Sequence, residues 1–228
     1  MAATTGEFGA HRPLAPVLWL TVLVVAVIPF LADGIWGRMA AAVLIGCTAV
    51  VALRRSHANR SVLRGGYIAV AAMVAVTILT REYGSAEDWL TTVSLALLSV
   101  LLLVTPVVVV MRLGARPKIT VDSLAGLLAA YMQFGVFFAV TYRLIAQATG
   151  EPFFAGTDAA SAMDYQFFSF VTLTTLGYGN LTPAGDLGQQ LAIFEALFGQ
   201  VFLVTVVGLA VGNLGASVPR RRKPTSDD

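Results

Sequence analysis

One segment of the chain differs from the apolar runs around it, and it reads DYQFFSFVTLTTLGYGNLTP from Asp164 to Pro183. Ser161 precedes this segment, and a Ser followed three residues later by an Asp fits a capping box, which predicts that a helix begins there. The helix is apolar on most sides and is expected to end near Thr174. Gly177 and Gly179 then stand at alternate positions, where glycine lets the backbone adopt positive φ, so that successive carbonyl groups can point the same way.

The composition of the whole chain indicates that its solvent is largely lipid. Hydrophobic residues make up 57% of the 228 residues and charged residues only 12%, whereas soluble domains carry about 25% charge. So little polarity excludes both a small soluble domain and a disordered chain. The single Cys47 and the two histidines, His11 and His57, speak against a thiolate metal cluster and a His-dependent catalyst.

Six apolar runs approach or reach the roughly 20 residues that a membrane-spanning helix needs. They cover residues 14–32, 36–53, 67–80, 89–111, 121–148 and 187–214. The segment 161–183, between the last two runs, is too short and too interrupted to span. Irregular backbone at membrane depth is tolerated only where it is buried in protein or lines a watery path, so this segment is the first candidate for a functional site.

The basic residues are sorted to one side of these six spans. Twelve of the 15 lysines and arginines fall at the N-terminus, in the loops after the second and fourth spans, and in the tail: Arg12, Arg54, Arg55, Arg60, Arg64, Arg112, Arg116, Lys118, Arg220, Arg221, Arg222 and Lys223. Because cytoplasmic loops are enriched in Lys and Arg, both termini are predicted to be cytoplasmic in a plasma (inner) membrane. The basic clusters are mainly topology anchors, with anionic lipid headgroups as candidate ligands.

The segment 164–183 resembles the filter region of the tetrameric potassium channel family. The filter motif of that family is Thr-Val/Ile-Gly-Tyr/Phe-Gly, and this chain has Thr-Leu-Gly-Tyr-Gly at 175–179. The likeness extends upstream through FSFVTLTT and downstream to Leu-Thr-Pro, with an apolar span on each side. It implies an all-α integral membrane fold with six transmembrane helices, a re-entrant pore helix and selectivity filter between helices five and six, and a homotetramer.

The resemblance also divides the chain. Residues 1–13 are a cytoplasmic N-terminus, 14–118 a four-helix sensor-like domain, 119–216 the pore domain and 217–228 a short basic cytoplasmic tail. Within the pore domain it implies an outer helix at 119–148, a pore helix at 162–174, the filter at 175–180 and an inner helix at 187–214.

The resemblance implies that K⁺ is the permeant ion and that no other cofactor is needed. The ion-binding groups are the backbone carbonyls of Thr175, Leu176, Gly177, Tyr178 and Gly179, which replace the hydration shell of K⁺. The Leu176 and Tyr178 side chains are expected to point away from the axis and to pack behind the filter.

Four residues that would support the filter depart from the common pattern of the family. Asn180 stands where many members have Asp, and Val171 where many have a pore-helix Glu, so the carboxylate link behind the filter is missing. Phe167 and Phe168 stand where many members have Trp, and they can stack on Tyr178 but cannot donate an N–H to it. These departures bear on filter stability and inactivation, not on the choice of ion.

The last span is expected to line the cavity. Gly199 has the spacing of the inner-helix hinge glycine of the family, and a close-packing glycine is the competing interpretation. Gln200, Leu203 and Val207 share a face of an α-helix, so they are predicted to be cavity or gate residues. Glu195 is a carboxylate inside an apolar span, predicted to brace the structure through a hydroxyl such as that of Thr172 or Thr174, with an effect on permeation or pH gating as the alternative.

The fourth span carries no charge between Trp89 and Met111. A voltage sensor needs several gating charges there, so a voltage-insensitive, K⁺-selective channel is the leading prediction. A weakly selective cation channel is one alternative, and a secondary transporter is another, although transporters usually show two related halves. No constellation of acid, base and nucleophile suggests an enzyme, and no nucleic-acid partner is predicted.

Overall fold

The computed structural model of the protein describes residues 13–31, 35–56, 59–82, 88–114, 120–208 and 212. All of the extended regular elements in these ranges are helices, which agrees with the predicted all-α class. They are α1 (Ala15–Leu31), α2 (Ile35–Arg55), α3 (Arg60–Glu82), α4 (Asp88–Gly114), α5 (Val121–Thr149), α6 (Ala162–Leu173) and α7 (Asp186–Val201), which continues as a π-helical segment (Phe202–Val207). The predicted cytoplasmic N-terminus, the end of the inner helix and the basic tail fall almost wholly outside these residues.

Four helices of the described part are long and apolar enough to cross a bilayer. These stretches are Arg60–Leu79, Trp89–Gly114, Val121–Thr149 and Asp186–Val207, and a shorter apolar helix covers Ala15–Phe30. They coincide with five of the six predicted spans. The remaining predicted span corresponds to α2, which is 21 residues long and does not meet the same standard, so the count of six stays a prediction.

The described helix ends agree with the apolar runs except at α3, and the predicted end of the last run, at 214, lies outside the described residues. This helix begins at Arg60, not at the predicted residue 67. The difference has a physical reason, because an apolar run marks only the part of a helix that can lie in hydrocarbon. Backbone hydrogen bonds continue the helix through Arg60 and Arg64 into polar surroundings.

Helix α5 is the centre of the packing. It contacts α1, α4, α6, α7 and the π-helical segment, and residues on several of its sides are buried. One core cluster joins α5 to the start of α1, the end of α4 and the π-helical segment, and its large members include Leu14, Leu113, Leu127, Phe134 and Phe202. Of the leading helices, α1 and α4 therefore pack against α5 of their own chain, with α4 and α5 side by side.

The start of α1 is fastened to the start of α5 by a carboxylate. Oδ1 of Asp122 accepts hydrogen bonds from the backbone N–H of Leu14, at 2.5 Å, and of Ala15, at 3.2 Å. Asp122 also lies in the first turn of α5, so its charge is favourable at the N-termini of two helices at once. The Arg55 side chain at the end of α2 donates to the Pro13 carbonyl beside it, which brings three helix ends together.

We expect Asp122→Ala to loosen this junction, because two backbone N–H groups at a helix N-terminus lose a charged acceptor. The loss should be about 1–2 kcal/mol, seen as a thermal midpoint in detergent that falls by several degrees. Asp122→Asn is the matched control, since its amide oxygen still accepts both bonds and only the charge is lost. Equal midpoints for Asp122→Ala and the wild type would contradict the role given to this carboxylate.

Candidate functional site

The predicted capping box begins the helix that leads to the candidate filter. The Ser161 side chain accepts a hydrogen bond from the Asp164 backbone N–H at 3.2 Å, and Oδ2 of Asp164 accepts one from the Ser161 N–H at 2.8 Å. Helix α6 follows directly and ends at Leu173, one residue before the predicted end. The local sequence therefore predicts this helix correctly at both of its ends.

The segment after α6 has the alternating backbone that its glycines predict. The φ angles of Thr175, Gly177 and Gly179 are 58°, 60° and 78°. Thr175 is the one non-glycine residue with positive φ in the described ranges, a conformation that costs an L residue about 1–2 kcal/mol. Left-handed residues at every second position turn successive peptide groups so that their carbonyl oxygens can face one side.

The amides of this segment are held by the end of α6. The carbonyl of Val171 accepts hydrogen bonds from the N–H groups of Leu176 at 2.9 Å and Gly177 at 3.3 Å, and the carbonyl of Thr172 accepts from Thr175 at 2.9 Å. The segment is thus tied to α6 through its donors. Val171 has no carboxylate to support this segment, but its backbone carbonyl accepts two of these hydrogen bonds.

The two predicted phenylalanine supports have different surroundings. The Phe167 ring stacks on the Tyr178 ring with centroids 6.0 Å apart and planes within 4° of parallel, as expected for a support behind the filter. Phe168 makes no such contact, because it is one position further around α6. It is buried in an aromatic cluster with Tyr142, Phe153 and Phe154, so the predicted stacking of Phe168 on Tyr178 is wrong. Asn180 is exposed in the single chain.

Gly199 is in contact with the end of α6. A Cβ atom at this position would lie 2.2 Å from the Leu173 carbonyl oxygen, a distance that no side chain can occupy. Tyr131 of α5 donates a hydrogen bond to the same oxygen at 3.1 Å. Close packing alone therefore explains the glycine, and Gly199 lies within the regular part of α7. The hinge stays a prediction.

The departure from α-helical geometry comes after Gly199, at Phe202–Val207. A π-helix has more residues per turn than an α-helix, and it shifts the faces that α-helical spacing predicts. Gln200 and Leu203 are exposed as predicted for cavity residues, with Val204 66% exposed beside them. Val207 is instead partly buried against the core cluster of α5, so it does not share the open face of Gln200 and Leu203.

Glu195 is fully buried where α5, α6 and α7 meet. Its Oε2 accepts a hydrogen bond from the Tyr142 hydroxyl at 2.5 Å, and its Oε1 lies 2.5 Å from the Ser169 hydroxyl. The suggested partners Thr172 and Thr174 are wrong, since Thr174 bonds the Phe170 carbonyl of its own helix. Sequence reasoning missed Tyr142, Ser169 and Tyr131 because hydroxyl groups inside apolar helices carry no sign of a partner far along the chain.

The chemistry available at this site is that of backbone oxygen. Within the described ranges, no three His, Cys, Asp or Glu side chains lie close enough to hold a metal ion. Carbonyl oxygens are hard ligands, which suit a weakly held alkali cation rather than a transition metal.

The chain is similar to known proteins that include an ion channel family. A family model described as "Ion channel" matches residues 127–214, a range that begins within α5 and extends beyond the π-helical segment. Protein LctB of Bacillus caldotenax is 33% identical over 102 residues, covering 42% of this chain and 75% of the relative. Protein LctB of Geobacillus stearothermophilus is 34% identical over 100 residues, covering 41% and 73%. Two pore potassium channel b of Oryza sativa subsp. japonica is 36% identical over 95 residues, covering 42% of this chain and 23% of that protein.

Gly199→Ala should displace α6, because the new methyl group meets a backbone oxygen that cannot move aside alone. Overpacking of this kind costs roughly 1–3 kcal/mol, measured as a lower thermal midpoint in detergent. Gly208→Ala is the matched control on the same helix, since its Cβ would have its nearest neighbour at 3.9 Å. That variant should be neutral or slightly stabilising. Equal behaviour of the two variants would contradict the packing role of Gly199.

Proposed function

Because the chain belongs to the potassium channel family, we propose that it is a K⁺-selective channel whose filter is residues 175–179. Membership makes it a multi-pass membrane protein and an ion channel, which is not a class of enzyme. The proposal adds the ion, the residues that bind it and the assembly. No bond is made or broken, so the protein lowers only the cost of dehydrating the ion.

The observation that carries the proposal is the backbone of the filter segment. Residues with positive φ, namely Thr175, Gly177 and Gly179, alternate with residues of negative φ. The N–H groups of Thr175, Leu176 and Gly177 donate hydrogen bonds to carbonyl groups of α6. Carbonyl oxygens that accept no hydrogen bond from an amide of the described residues can replace the water around K⁺. Binding at several such sites in a row lets an ion enter and also leave.

The exposure of the filter side chains supports a homotetramer. Leu176 is 57% exposed and Tyr178 66% exposed in the single chain, although both are large and apolar in part. Helix α7 likewise presents a row of uncovered apolar residues, including Phe194, Leu197, Val201 and Val204. One chain supplies one wall of an ion path, and copies around a common axis would cover these groups and complete the ring of oxygens.

The end of α6 adds a favourable field. A helix carries roughly half an elementary negative charge at its C-terminus, and α6 ends directly before the filter. In a tetramer four such ends would converge below the filter and stabilise a cation in the central cavity. Gln200 and Leu203 would face that cavity.

The proposed topology places both termini in the cytoplasm of a plasma (inner) membrane. It rests on the positive residues in the last turns of α2 and α4, including Arg54, Arg55 and Arg112. The same residues lie at the depth of lipid headgroups, so anionic lipids are proposed as partners beside the other subunits.

K⁺ flux from proteoliposomes tests the filter. Wild-type protein should release K⁺ much faster than Na⁺, and Ba²⁺ should block the flux. Gly177→Ala should abolish K⁺ flux or its selectivity, because φ of 60° is strained for Ala. Gly150→Ala is the matched control, since Gly150 has φ of 70° with open space around its Cβ position but lies outside the filter, at the end of α5.

Unchanged K⁺ selectivity in Gly177→Ala would contradict the filter assignment. Equal K⁺ and Na⁺ flux through the wild type would favour a weakly selective cation channel. Accumulation of a solute against its gradient, driven by a coupled ion, would favour a secondary transporter.

The uncharged α4 predicts little intrinsic voltage dependence. A gating charge that crosses the membrane contributes about 2.3 kcal/mol per 100 mV, and the span from Trp89 to Met111 has none. In planar bilayers, the open probability should change by less than about twofold between −100 and +100 mV. Steep opening across this range would contradict the prediction.

A further inference from the structure

The buried carboxyl of Glu195 is part of a hydrogen-bond chain that has more contacts than hydroxyl protons. Glu195 receives the Tyr142 hydroxyl at Oε2 and contacts the Ser169 hydroxyl at Oε1, both at 2.5 Å. The Ser169 oxygen is also 2.7 Å from the Gly135 carbonyl oxygen. Three oxygen–oxygen contacts of this length need three protons, and the two hydroxyl groups supply only two.

An ionised Glu195 leaves one of these contacts without a proton. Ser169 would have to donate to the carboxylate, and its oxygen would then face the Gly135 carbonyl as two acceptors 2.7 Å apart. A single O–H shared between both acceptors would weaken each bond, since hydrogen bonds lose strength steeply away from linearity. A neutral Glu195 satisfies all three contacts: it donates to Ser169, Ser169 donates to Gly135, and Tyr142 donates to Glu195.

The hydroxyl partners of Glu195 are uncharged, and the phenols that interact with it are those of Tyr142 and Tyr131 on α5. Helices α6 and α7 contain no Lys or Arg. The one basic residue of α5, Arg143, acts on the Tyr165 phenol of α6. Burying an ionised carboxylate without a cationic partner costs free energy in a low-dielectric interior. A protonated carboxylic acid avoids this cost.

We propose that Glu195 is a neutral acid that positions the pore helix α6, and through it the filter. Ser169 lies two residues before Val171, whose carbonyl holds the amides of Leu176 and Gly177. Through Ser169, the carboxyl ties α6 to α7, and through Tyr142 and Gly135 the same chain ties it to α5. Only a group that donates at one oxygen and accepts at the other can complete the chain. The effect on ion selectivity rests on the proposed function.

The proposal distinguishes Glu195→Gln from other substitutions. Glutamine has the same length, and its amide donates and accepts at the same two positions but carries no charge. The K⁺/Na⁺ permeability ratio of Glu195→Gln should therefore lie within about twofold of the wild type, because all three hydrogen bonds survive. Glu195→Leu fills similar space without hydrogen bonds, and it should lower the ratio by about tenfold, since the buried Tyr142 hydroxyl loses its partner and Ser169 keeps only the Gly135 carbonyl. Tyr142→Phe should have a smaller effect than Glu195→Leu.

An infrared difference spectrum of wild type minus Glu195→Gln tests the proton directly. At neutral pH the spectrum should contain the C=O stretch of a protonated carboxylic acid, and carboxylate bands in its place would overturn the proposal. The proposal would also fail if Glu195→Gln lost selectivity as Glu195→Leu does, because a charge would then be what matters. The spectrum needs no ion flux, so it remains decisive for Glu195 even if the wild type turns out not to select K⁺.

Discussion

The proposed function imposes one constraint on the structure: the carbonyl oxygens of residues 175–179 must stay free for an ion while the rest of that backbone is held in place. Carbonyl groups that are left free for an ion form no hydrogen bonds within the protein, so the N–H groups of residues 175–179 must hold this segment in place. The amides of Thr175, Leu176 and Gly177 bond to the last turn of α6, and the Tyr178 ring stacks on Phe167 of the same helix. The position of α6 therefore sets the position of the filter.

Helix α6 is in turn held by α5 and α7 at two positions along its length. Near its end, the Leu173 carbonyl accepts from Tyr131 and rests on Gly199, where even a methyl group has no space. One turn earlier, Ser169 joins Glu195 and the Gly135 carbonyl. Each position involves both α5 and α7, so α6 cannot tilt without breaking contacts on two sides. These contacts hold α6 without the carboxylate link that Val171 and Asn180 cannot form.

What the sequence predicts well is what local chemistry determines. The capping box of Ser161 and Asp164, the alternating glycines of the filter and the ends of most helices depend on neighbours within a few residues. The partners of Glu195 lie 26 and 53 residues away along the chain, and nothing local distinguishes Ser169 or Tyr142 from other hydroxyl residues in apolar helices. The predicted face of Val207 is wrong for a different reason, because α-helical spacing does not hold across a segment that is π-helical.

The leading helices are joined to α5 and α6 by polar links as well as by apolar packing. Asp122 holds the start of α1, Gln133 of α5 donates to Thr21 at 3.2 Å, and Gln166 of α6 donates to the Val25 carbonyl at 2.7 Å. Ser99 of α4 lies 3.3 Å from the Thr141 hydroxyl of α5. Three of these four links are between uncharged groups, and the Asp122 link lies at a helix end. These three links give a membrane field no charge to act on. Because α1 is linked to both α5 and α6, a displacement of α1 would be transmitted to both helices, so packing is one route by which it could reach the proposed filter.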